Sequence, residues 1–177
     1  MAGIIRWLSR INDGVALLAG FGLMACVALI LAEIAARRLG APLGGTDEIS
    51  GYVMAAVTSW GISYALTERA HVRIDLLRVR GGSGFRAALD CLAMLSLAGV
   101  ALVTAWHGWA VLEKTLGTGA RANTALETPL WIPQAIWWAG WSWFAISAVL
   151  LSIAALLLAI KGRFDGVEDI AGTETTA

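Results

Sequence analysis

Polar and apolar positions alternate along this chain on a coarse scale. Four long stretches, Gly14–Ala32, Ile49–Thr67, Cys91–Leu112 and Thr128–Ile160, contain no Asp, Glu, Lys or Arg. Charged and turn-forming residues gather between them. The hydrocarbon core of a bilayer is about 30 Å thick and a helix rises about 1.5 Å per residue, so roughly 20 apolar residues cross it. The pattern predicts an all-α integral membrane protein with four transmembrane helices at about 13–37, 48–67, 90–112 and 134–160. Before them, Ile4, Ile5, Trp7, Leu8 and Ile11 recur at helical spacing with Arg6, Ser9 and Arg10 on the other side. Residues 1–12 therefore read as a short amphipathic interfacial helix. Residues 161–177 read as a polar tail, which leaves 13–160 as one membrane domain.

Of 177 residues, 58% are hydrophobic and 15% charged, with a formal net charge of +0. That charged fraction is well below the roughly 25% of a soluble domain. The basic residues are few and scattered, so nucleic acid is not an expected partner, whereas membrane lipid is. Their distribution sets the expected orientation. Nine Lys and Arg fall in the N-terminal segment, the second connection and the tail, against four in the first and third connections. The positive-inside rule then places both termini in the cytoplasm. Cys26 and Cys91 lie in or beside apolar runs and read as small helix residues. Leu23–Cys26 resembles a lipoprotein cleavage box, but the apolar run continues past it to Ala32.

Several residues stand out chemically. Glu33 is the one acid with apolar helix on both sides. It either pairs with Arg37 one turn later or handles an ion. Thr46-Asp47-Glu48 opens span two, where acids suit the positive helix end. Gly61, beside Trp60, offers a place for close helix approach. The segment Glu68–Leu77 alternates apolar Val72, Ile74 and Leu76 with His71, Arg73 and Asp75, as a stretch lying along the membrane surface would. Its basic residues either fix topology or meet a partner. Seven of nine tryptophans fall toward one interface, an aromatic belt whose surplus is available for protein contact. Pro129 and Pro133 flank Leu-Trp-Ile as a rigid lead-in to span four, with Pro133 suited to the first turn.

No phosphate-binding loop, HExxH, CxxC or nucleophile triad is present. His71 and His107 lie at different depths and cannot share a haem. Spans two to four carry no central ionisable group of the kind ion-coupled carriers use. No enzymatic activity and no cofactor are expected, and the chain reads as an accessory subunit. Two other classes stay open: an independent small ion-coupled transporter or channel using Glu33, and a membrane-bound redox subunit.

The run Asp47-Glu48…Trp60-Gly61…Arg69-Ala-His71-Val-Arg-Ile-Asp75 resembles the small membrane subunit of tripartite ATP-independent periplasmic (TRAP) transporters. Arg38, Glu48, Gly61, His71 and Asp75 fall on that family's pattern, and Thr128–Pro133 resembles its lead-in to span four. Trp60 departs from it, since a smaller or aliphatic residue is usual there. The resemblance implies a non-catalytic scaffold in the bacterial inner membrane. Its partners would be a large membrane subunit and a periplasmic substrate-binding protein, together importing an organic acid on a sodium gradient. Arg69, His71 and Asp75 would then lock the end of span two against the large subunit.

Overall fold

The computed structural model describes residues 2–70 and 81–171. It contains five helices: α1 Ala2–Arg38, α2 Thr46–Thr67, α3 Ser83–Thr118, α4 Trp131–Ile160 and α5 Phe164–Ala171. Among the described residues there is no strand, only an isolated bridge between Arg121 and Pro129. Three helices are long and apolar enough to cross a membrane: Ile5–Arg38, Ser83–Thr118 and Trp131–Ile160. α2 spans 22 residues, about 33 Å of helix, but its serines, threonines, glycines and two acids dilute its hydropathy.

Helix ends follow from local chemistry. α1 stops at Gly40, which adopts φ 77° and lets the Ala41 amide reach back to the Ala36 carbonyl at 3.0 Å. This left-handed cap satisfies carbonyls that the helix end would otherwise leave bare, and Arg37 and Arg38 complement the negative end. Gly162 closes α4 the same way, with the Arg163 amide on the Leu158 carbonyl at 3.0 Å. α2 uses Arg69 in that role at φ 53°, a conformation disfavoured for a residue with a Cβ.

The helices form an open row. α1 packs on α2, α2 on α4, and α4 on α3, while α5 lies against α3 and α4. The tightest core is the α3/α4 seam, where Ala98, Ala101, Ala145, Ala148 and Ala155 surround Met94, Phe144 and Leu151. Small side chains let two backbones approach where apolar burial gives little drive, as in lipid. The α1/α2 seam has a different character. Among the covered positions of α1, Leu8, Asn12, Val15, Ala19, Gly22, Cys26, Leu29, Glu33 and Ala36 follow one another in alternating steps of four and three, with Ile5, Ser9, Ile11, Ala16 and Leu23 beside them. That 3.5-residue period is the seam of a left-handed helix pair.

Three expectations change. The amphipathic segment is no separate element, because α1 runs unbroken through Asn12 and Asp13, about 55 Å in all. Leu8 and Asn12 are fully buried in the same seam that holds the rest of the helix. The tail is not wholly polar either. Phe164, Val167, Ile170 and Ala171 make one apolar stripe, and α5 buries Val167 and Ala171 completely against α3 and α4. Helix α3 also extends well beyond its expected bounds at both ends, and its acid Asp90 is 2% exposed.

Candidate functional site

Two polar junctions sit at opposite ends of the α1/α2 pair. One is near the α1–α2 and α3–α4 loops, here the loop end. The other is nearer the chain start and the α2 C-terminus, here the terminal end.

At the loop end, Glu33 is buried on the α1 seam. One oxygen accepts from the Arg37 guanidinium at 3.1 Å and the other from the Leu43 amide at 2.8 Å. The Thr46 hydroxyl faces the same carboxylate. Glu33 thus ties the end of α1 to the turn and to the first residue of α2. Arg37 keeps its side chain 69% exposed, so its charge is shared with the surroundings. Arg38 is exposed at the helix end.

Glu48, in the first turn of α2, does the same for the distant loop. Its carboxylate accepts from the Tyr52 hydroxyl at 2.8 Å and from the Thr124 hydroxyl, with the Thr128 hydroxyl and the Leu126 amide also directed at it. The loop that answers Glu48 is shaped by Pro129. The Ala122 amide bonds the Thr128 carbonyl at 2.9 Å, and the Leu130 amide bonds the Ala120 carbonyl at 3.1 Å. Leu126 covers Gly45, where a Cβ would lie 2.5 Å from the Leu126 Cγ. Gly45 also adopts φ 71°, so glycine is required there twice over. Pro133 lies in the first turn of α4, where its missing N–H does no harm.

At the terminal end the central residue is Asn12, which the sequence reading passed over. Its side-chain amide donates to the Ser63 carbonyl at 3.0 Å and to the Thr67 hydroxyl at 3.3 Å. Its oxygen accepts from the Trp143 indole N–H at 2.8 Å. Trp7 adds an edge-to-face contact with Trp143, ring centroids 6.0 Å apart. One buried amide therefore joins α1, α2 and α4. The signal was present: Ile5, Leu8 and Asn12 are three and four residues apart, and an amide on an apolar stripe needs a partner.

The tryptophans divide by role. The Trp60 indole N–H donates to the Ile136 carbonyl at 3.0 Å and that of Trp138 to the Ala105 carbonyl at 2.9 Å. With Trp143, these join helices within the chain, so the belt's surplus is partly internal. Close backbone approach occurs at Gly140, where a Cβ would lie 2.5 Å from Ser59 Oγ and 2.8 Å from Trp60 Cδ1. At Gly61, the residue picked from sequence, a Cβ would meet no atom of this chain within 4 Å. Arg69 terminates α2, as described above. His71 and Asp75 lie outside the described residues.

Four helices tied by buried polar groups, three of them long and apolar, with a Pro-shaped loop seated on an acid that opens α2, make a membrane-embedded structural unit. Residues 26–162 match the family described as tripartite ATP-independent periplasmic transporters, DctQ component. The chain belongs to the DctQ family. It is a small permease subunit of a TRAP transporter and a membrane protein. No curated protein and no solved structure matches it. The DctQ match includes Glu33, Glu48 and the loop that Glu48 holds, but it begins after Asn12 and ends before α5.

Proposed function

We propose that this DctQ chain is the non-catalytic scaffold of a binding-protein-dependent TRAP transporter that imports an organic acid on a sodium gradient. It spans the bacterial inner membrane four times with both termini in the cytoplasm, beside a large transport subunit served by a periplasmic binding protein. α2 is the fourth span. The observation that carries the reading is the placement of polar groups on α1. Asn12 and Glu33 sit on one seam 21 residues apart, about 31 Å along the helix, and each engages an end of α2. That separation equals the thickness of a hydrocarbon core, so α2 accompanies α1 across it. These groups are spent on helix–helix contacts rather than on a substrate path.

The open row supports a scaffold in a second way. In the most apolar window of α1 only 6% of the residues are fully buried by the rest of the chain. Such a helix needs lipid or a partner subunit around it. An independent ion-coupled carrier using Glu33 has less support, because both carboxylate oxygens already hold donors.

The test is reconstitution in liposomes with an inward sodium gradient. The chain alone gives no uptake of C4-dicarboxylates, sialic acids or other carboxylates. The chain with the large subunit and its binding protein gives uptake of one class. Uptake by this chain alone would refute the scaffold role.

A further inference from the structure

A groove of about 440 Å³ opens between α3 and α4 toward the loop end, lined by no residue of either polar junction. Its α3 wall is Leu102, Trp106, Trp109 and Glu113, and its α4 wall includes Trp138 and Ser142. The α3 residues recur at helical spacing, so their order along the groove is a polarity gradient. Leu102 is deepest, the indoles come next, and Glu113 lies about 8 Å from the helix end. Trp109 and Trp138 lie with ring centroids 5.0 Å apart, while Trp106 is 79% exposed. The Glu113 carboxylate makes no hydrogen bond or ion pair among the described residues. The Ser142 hydroxyl oxygen is buried and likewise has no partner there. Lys114, next in sequence, is exposed.

From this we infer that the groove binds one phospholipid whose head group carries a primary ammonium. Indole faces attract cations, and a carboxylate beside them accepts the N–H bonds that a quaternary ammonium cannot donate. Lys114, exposed one residue beyond Glu113, offers a cation for the phosphate, and Leu102 meets the first part of an acyl chain. A soluble ammonium compound would use the upper half of the groove alone. A partner helix would leave Glu113 buried and uncompensated unless it brought a cation. The gradient from carboxylate through indole to aliphatic side chain follows a lipid molecule from head to tail. The inference concerns the lipid surround of the chain and does not depend on what the transporter carries.

The full chain, stripped of lipid in detergent, is offered equal amounts of phosphatidylethanolamine, phosphatidylcholine and phosphatidylglycerol, and the retained lipid is counted by native mass spectrometry. Wild type retains one phosphatidylethanolamine with about fivefold preference over the others, the worth of one exposed ammonium–carboxylate pair. Glu113→Gln, at an exposed position, abolishes the preference over phosphatidylcholine, and Trp106→Leu lowers retention of both. Equal retention of all three lipids by wild type, or an undiminished preference in Glu113→Gln, would overturn the proposal. Displacement by free phosphoethanolamine would assign the groove to a soluble ammonium, and displacement by the large subunit would assign it to a protein. Either would overturn the lipid assignment.

Discussion

Replacing Asn12 with alanine removes a hydrogen bond of 3.0 Å to the Ser63 carbonyl, one of 3.3 Å to Thr67 and one of 2.8 Å from the Trp143 indole. The losses differ in kind. The Ser63 carbonyl keeps the Thr67 hydroxyl at 3.4 Å, so it is not orphaned. The Trp143 N–H has no other acceptor among its described contacts and is left in apolar surroundings. A bond between membrane helices averages about 0.6 kcal/mol, while an orphaned buried donor costs about 1–3 kcal/mol. One bond of the first kind and one loss at the lower end of the second give a destabilisation of about 2 kcal/mol. For a chain of this size that is a fall in Tm of roughly 4–8 °C. Thermal unfolding followed by tryptophan emission in a fixed detergent measures it. The deciding measurement is the double-mutant cycle with Trp143→Phe, which removes the donor but keeps a ring against Trp7. Asn12→Ala should then cost about 1 kcal/mol less than in wild type. Additivity of the two changes within about 0.3 kcal/mol would refute the three-helix junction.

Other positions give independent expectations. Gly140→Val forces a side chain onto Ser59 and Trp60 and should cost about 1–3 kcal/mol by overpacking, whereas Gly61→Ala should not lower the isolated chain's Tm; equal losses would contradict the packing. Glu48→Ala frees the loop around Thr124, so amide hydrogen exchange across Ala120–Leu130 should accelerate roughly tenfold while the α3/α4 core is unaffected. Unchanged exchange would mean that Pro129 and the loop's own bonds hold it unaided. In a cysteine-free background, Gly82→Cys and Ala120→Cys should label from opposite faces of intact cells, with Ala120→Cys accessible from outside; outside labelling of Gly82→Cys would invert the proposed topology.

Much of the architecture was legible in the pattern of residues. Charge-free runs placed the three most apolar helices, because the cost of an unpaired charge in hydrocarbon depends on composition and length, not on neighbours. The Glu33–Arg37 pair was readable because it is local, one turn apart on the same helix. Glu48 was singled out as a helix-opening acid, but besides Tyr52 one turn on, its partners lie 76 residues away or more, in a loop that only the folded chain brings near. Gly61 and Gly140 look alike in sequence, and only the relative rotation of α2 and α4 decides which faces a backbone. Asn12 was passed over because both faces of α1 are apolar, so hydropathy does not mark out the mixed seam of Leu, Val, Ala, Gly, Cys, Asn and Glu that buries it. The polar-looking tail became α5 because its four apolar residues meet an uncovered edge of α3 and α4, which exists only once those helices have packed. Composition and period thus determine which segments enter the membrane as helices. Which face of each helix is buried, and which polar group answers which, depends on pairings distant in sequence and is decided by tertiary packing.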